Sequence, residues 1–237
     1  MNDMYIPDNA LKYILFQRTD LLCITKLPFI KKIIKVLPPS YFNQIISFES
    51  TVNKKGIKKK YKEEIQKEYN IIKDYLPGNC KTVLDIGCGI AGIDVFINKH
   101  FLSSNLQFFL LDKTQREESM YYDYNKRAAF YNSLFVAKNV LINNNINEEN
   151  IHLIEATSDN DIDINQNADL IISLISWGFH YPVDTYLEKA DKILNVKGRI
   201  ILDIRKETNG LRTMNSKFQD IRIIYNARKY HRIVAIK

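Results

Sequence analysis

The chain has 237 residues, 46% of them hydrophobic, and a formal net charge of +7. That suits one domain with a full core, or one domain plus a short extension. The three cysteines (23, 80 and 88) show no metal-ligand spacing and no disulfide framework, which points to a reducing, cytoplasmic setting. Asp3 and Asp8 interrupt any apolar run at the start, so no signal peptide is expected. No apolar stretch reaches the roughly 18 residues a membrane-spanning helix needs.

The charge is unevenly spread. Residues 1–80 carry 14 Lys and Arg against 8 Asp and Glu, residues 81–191 carry 8 against 16, and residues 192–237 carry 12 against 3. Basic ends attract anions such as phosphates, nucleotide sugars, RNA or acidic lipid. A solvated surface is the plainer explanation for the lysine run at 54–62.

In chain order, residues 9–37 read as helical segments broken near Pro28 and stopped by Pro38-Pro39. The Lys-rich part from Leu21 to Leu37 suits a lid or packing helix, or an amphipathic helix on an anionic membrane. A helix over about 57–75 carries mixed charges at i,i+4 spacing. Pro77-Gly78 punctuates the chain and divides it into an N-terminal extension or lid (1–77) and a core domain (78–237). A strand is predicted at 82–86, a helix at about 91–101, a strand at 107–111 and a long helix at about 126–144. Strands follow at 151–154 and 169–174, a helix at about 183–195, a strand at 199–204, and a two-stranded ribbon over 220–237. Alternating strands and helices imply a mostly parallel sheet covered on both faces, with the closing ribbon as an antiparallel edge.

The most specific stretch is VLDIGCGIAGID (83–94). An apolar strand, an acid, and glycines at 87, 89 and 92 describe a strand, a tight turn and a helix start of the kind that faces a nucleotide. Asp112 ends the next apolar run, 27 residues after Asp85, where a strand–helix–strand unit aims its acid at a ribose. A nicotinamide-dependent oxidoreductase shares the glycine spacing, but it leaves Asp85 unexplained. Ligands of open α/β sheets lie at the carboxyl ends of the strands. Those ends carry Asp85 to Gly89, Asp112 with Lys113, Ala156 with Thr157, and the run SLISWGFHYP (173–182).

The string LDIGCG resembles motif I of the class I S-adenosylmethionine-dependent methyltransferases. The resemblance extends over about residues 80–237 in the order of elements. It implies a Rossmann-like α/β fold: a seven-stranded, mostly parallel sheet with an antiparallel edge ribbon, helices on both faces, and here an N-terminal helical extension over the acceptor. It implies S-adenosylmethionine as cofactor, held by Asp85, Gly87, Cys88, Gly89, Asp112, Lys113, Ala156, Thr157 and Ser176. Asp85 would support the methionine end, Asp112 the ribose, and Ala156 and Thr157 the adenine edge. The fourth strand end faces the transferred methyl group in that family. There His180 is the candidate catalytic base, because imidazole titrates near working pH. Trp177, Tyr181, Tyr124 and Arg205 are candidate acceptor contacts, the arginine for an anion it could grip with two donors. No metal is required. The strings LLDK, AFYNSLFVAK, SLISWGFHYP and LDIRK are similar to those of bacterial candidate sugar O-methyltransferases of surface-polysaccharide pathways. This implies a small, sugar-like or anionic acceptor. An RNA methyltransferase using the basic ends, and a cofactor-binding protein without transferase activity, are the alternatives.

Overall fold

The computed structural model describes residues 4–23, 39–101, 105–114 and 132–237. Its centre is one seven-stranded sheet in the order β3-β2-β1-β4-β6-β8-β7. The strands are β1 (Thr82–Ile86), β2 (Gln107–Asp112), β3 (Ile151–Glu155), β4 (Ala168–Ser173), β6 (Leu194–Arg205), β7 (Asp220–Asn226) and β8 (Tyr230–Ile236). An eighth, β5 (Ser176–Tyr181), lies beside β6 outside that order. Neighbours run parallel from β3 through β6, and β8 runs antiparallel to both β6 and β7. One strand is therefore reversed against six, as the sequence leads one to expect.

β1 is buried at all five residues, which is why it reads as a continuous apolar run broken only by Asp85. Its residues alternate between two cores. Val83 joins the layer beneath the N-terminal helices, and Leu84 and Ile86 join the opposite layer. Strand order reverses direction at β1, with β2 and β3 on one side and β4 and β6 on the other. The crevice beyond that point is where such sheets hold ligands.

Seven α-helices occur among the described residues: α1 (Leu11–Gln17), α2 (Pro39–Val52), α3 (Lys54–Ile72), α4 (Gly92–His100), α5 (Leu134–Ile142), α6 (Leu187–Ile193) and α7 (Gly210–Asn215). α3 buries Ile57, Tyr61, Ile65 and Ile72 and turns its Lys and Glu residues outward, the stripe of a helix lying on a core. Pro39 opens α2 where the sequence reading has the Pro pair only stopping a helix. Proline lacks an N–H that a first helical residue does not need. Of the long helix predicted over about 126–144, the described part is α5, Leu134–Ile142. Ser133 is extended and its side chain accepts the Val136 N–H as an N-cap, fixing the start at Leu134. The earlier part of that predicted helix, residues 126–131, lies outside the described residues, as does most of the Lys-rich segment between Leu21 and Leu37. Three further departures are α7 and β5, which are not predicted, and β6, which begins five residues early.

The predicted boundary near residue 78 is crossed by packing. Ile14, Leu15, Ile46, Ile57 and Ile65 belong to the same apolar cluster as Val83, Ile93, Phe108 and Val140. No described helix is long and apolar enough to cross a membrane.

Candidate functional site

The turn after β1 has an unusual backbone. Gly87, Gly89 and Ala91 all have positive φ, at 76°, 57° and 58°. Glycine takes such angles without a Cβ clash. The turn folds back on the end of β2: Gly87 donates its N–H to the Leu111 carbonyl at 2.6 Å, and Gly89 donates to Asp112 Oδ2 at 2.8 Å. A Cβ on Gly87 would lie 1.9 Å from Ser176 Oγ, and one on Gly89 would lie 2.7 Å from Gln17 Oε1. The first residue of β5 and the last residue of α1 therefore close on the turn. Cys88 is buried beneath it.

Asp112 stands where the sequence predicts, at the carboxyl end of β2 beside the turn. Asn132 also donates to its Oδ2, at 2.9 Å, and the Lys113 N–H donates to its Oδ1 at 2.7 Å. Burial pushes the carboxyl up to about 6, against the pull of these hydrogen bonds. Gln17 reaches Asn132 at 3.5 Å, linking the N-terminal segment to this acid. Next along the crevice, the Ala156 N–H donates to the Asp112 carbonyl at 2.9 Å. Thr157 is exposed beyond it.

Asp85 and Asp94 form the second acidic group. Asp94, the third residue of α4, is wholly buried, and Asp85 is 3% exposed. Burial is the main cause that raises both carboxyls, and each lies against the other. Apart from the Asp85 carboxyl, no side chain among the described residues bonds either oxygen of Asp94.

The turn between β4 and β5 is held from below. Ser173 donates to the Ile86 carbonyl at 2.6 Å and accepts the Trp177 N–H at 2.9 Å. Ile175, at φ 57°, donates its N–H to Asp203 Oδ2 at 3.2 Å. Asp203 is paired with the fully buried Arg232 through two hydrogen bonds of 2.7 and 2.8 Å, and Arg232 also bonds Glu68 of α3. β5 then runs outward beside the end of β6, with Gly178 packed on the Asp203 carbonyl.

At the outer end of β5, His180 and Tyr181 are partly exposed. The Phe179 ring lies edge-on to His180 at 5.0 Å and to Tyr230 at 5.9 Å, and the Arg205 guanidinium lies 5.5 Å from its centre. Burial, then the nearby Arg205 charge, lowers the His180 pKa. At about 3.3 Å per strand residue, His180 is about 13 Å from Ser176 along the strand. Trp177 departs from its predicted place. It is fully buried, its indole N–H donates to the Val183 carbonyl at 2.8 Å, and it packs on Tyr186, so it supports β5 from the core side. Tyr124 lies outside the described residues. No group of three metal-ligating side chains occurs among the described residues.

No family model matches the chain, and no curated protein does. Solved structures do resemble it. A candidate O-methyltransferase of Nostoc punctiforme superposes with a TM-score of 0.52 at 17% identity, over 74% of this chain and 56% of its own. The chain has the class I methyltransferase fold. The Thermus thermophilus 16S rRNA N2 G1207 methyltransferase, in complex with AdoMet and guanosine, gives 0.49 at 13% identity, over 75% of this chain and 42% of its own. The precorrin-6y C5,15-methyltransferase of Geobacter metallireducens gives 0.48 at 14%, over 70% and 84%. The chain thus spans about half the length of the first two.

The residues of this methyltransferase fold suit S-adenosylmethionine. Asp94 is a buried acid to which no cation is paired among the described residues, and the methionine end of the cofactor carries an ammonium group. The N–H groups at the start of α4 suit the adjoining carboxylate, and Asp112 keeps lone pairs for ribose hydroxyls. Sequence reasoning missed Asp94, Asn132 and Gln17, and Tyr61 of α3, whose hydroxyl would lie 2.3 Å from a Cβ on Gly92 at the start of α4. An acid in the first turn of a helix ordinarily reads as a surface dipole partner, and nothing local marks Asp94 as buried.

Proposed function

We propose that this chain is an S-adenosylmethionine-dependent O-methyltransferase acting on a sugar or related anionic small metabolite. The cofactor supplies a methyl group on a positively charged sulfur. In this reading the glycine turn, Asp85 and Asp112 hold the two polar ends of the cofactor, with Cys88, Lys113, Ala156, Thr157 and Ser176 lining its length. His180 receives the hydroxyl proton of the acceptor, and its lowered pKa keeps the ring neutral and able to accept it. Arg205 holds an anionic group of the acceptor, with Tyr181 beside it.

The observation that carries the acceptor reading is the grouping of His180 and Arg205 around Phe179 at the carboxyl edge of the sheet. It puts a base and a fixed positive charge on one partly exposed rim. Transfer of labelled methyl from S-adenosylmethionine into fractionated lysate of the native host tests it. Label in sugars or small metabolites is expected. Nuclease-sensitive label in RNA would replace this reading by one in which the basic ends of the chain follow phosphates.

A further inference from the structure

We propose that Asp94 joins Asp85 as the seat of the cofactor's α-ammonium group, and that the two carboxyls share one proton which leaves when the ammonium binds. The inference rests on the reading that the chain uses S-adenosylmethionine.

Two carboxyl groups in contact, one 3% exposed and the other not at all, cannot both be ionised in a dry interior. The contact is a hydrogen bond only while one of them keeps its proton. Apart from Asp85 itself, no donor from another residue among those described reaches either oxygen of Asp94. The groups around the pair do not supply a cation. From α3 comes the Tyr61 phenol, 3% exposed, and from the glycine turn the Cys88 thiol; burial raises both, so both stay neutral. From β2 comes Asp112, a further acid that raises Asp85. Arg18 lies across the Tyr61 ring at 5.6 Å and is bonded to Glu64 at 3.0 Å.

An unpaired buried carboxyl destabilises a fold. Here it lies at the start of α4, against the acid that precedes the glycine turn. A compact cation entering there meets two carboxyl groups and turns both into charge-assisted acceptors. A primary ammonium carries three donors, enough to serve both acids. Burial raises Asp94, and the contact with Asp94 and Asp112 adds to the burial of Asp85. The pair therefore holds its shared proton well above the pH at which an exposed carboxyl loses it.

Calorimetric titration of the whole chain with S-adenosylmethionine between pH 5.5 and 6.5, in buffers of different ionisation enthalpy, tests this. The α-amino group of the ligand stays charged over that range. Release of about one proton, with affinity rising about tenfold per pH unit, is expected. 5′-Methylthioadenosine has the ribose but no amino-acid end. It reports the contribution of Asp112 alone and is expected to lack the additional proton. Asp94→Asn keeps the shape and is expected to weaken S-adenosylmethionine binding by about tenfold or more while leaving 5′-methylthioadenosine binding unchanged. Equal proton counts for the two ligands in the native chain, or an unchanged S-adenosylmethionine affinity in Asp94→Asn, overturns the proposal. Absence of any S-adenosylmethionine binding by the native chain overturns instead the cofactor reading beneath it.

Discussion

At the scale of single residues, His180 has a definite pH signature. Burial and Arg205 both lower its pKa, so the ring protonates below its ordinary value of about 6.5. Activity of a His180-dependent enzyme is therefore full at neutral pH and falls as pH drops through the lowered pKa. His180→Gln is expected to reduce kcat by about 10²–10⁴, to remove the acid limb due to this group, and to leave cofactor affinity unchanged. A pH–rate profile with parallel binding measurements checks all three. Gly87 makes a second prediction. Alanine there would combine a φ of 76° with a Cβ 1.9 Å from Ser176 Oγ. A loss of about 2 kcal/mol or more in urea unfolding is expected, whereas Gly78→Ala, with nothing within 4 Å, is expected to change little. Positions like Gly87 and Asp112 are legible in sequence because turn chemistry is local. Asp94, Asn132 and Gln17 are not, since their roles arise from burial and from partners 9 to 115 residues away.

The elements were legible where hydrophobic period decides them. β1, β2 and β4 are short apolar runs, and the final ribbon alternates around a turn. β5 was harder. SWGFHYP has no period of its own, and the left-handed Ile175 that precedes it donates its N–H to Asp203, a partner 28 residues away. This makes the Asp203–Arg232–Glu68 group an element-level fastener, joining β6, β8, α3 and the β4–β5 turn. Removing one member leaves buried charge uncompensated, so Arg232→Met is expected to cost about 3–5 kcal/mol. Asp203→Asn and Arg232→Met together are expected to cost less than the sum of the two separately. Urea denaturation of the four proteins in that cycle measures the coupling. Additive losses would mean that the pair does not act as a unit.

At the scale of the whole molecule, the N-terminal segment raises the question of what a lid is. A composition shift and Pro77-Gly78 mark a boundary in the chain, yet the apolar core continues across it. α1 and α3 bury Leu11, Ile14, Leu15, Ile57 and Ile65 against the same layer as Ile93 and Val140. Each such side chain contributes about 1.5–3 kcal/mol when fully buried, and a domain's whole net stability is only about 5–15 kcal/mol. A chain of residues 78–237 would expose one complete face of the sheet's helical layer, and would lose Glu68 from Arg232 and Tyr61 from the start of α4. It is expected to give no cooperative thermal transition and to bind a hydrophobic dye strongly, whereas the full chain melts cooperatively. A truncated chain that melts cooperatively, with the near-ultraviolet circular dichroism of the same residues in the full protein, would make residues 1–77 a separable cover. If the truncated chain fails as expected, opening of the site must come from smaller movements. The side chain of Gln17 against Gly89 is the contact placed to make one, because its amide is the far end of a flexible chain, and its bond to Asn132 is long at 3.5 Å. Gln17→Ala is then expected to change cofactor association and release rates without lowering the melting temperature, and stopped-flow binding separates that outcome from simple loss of stability.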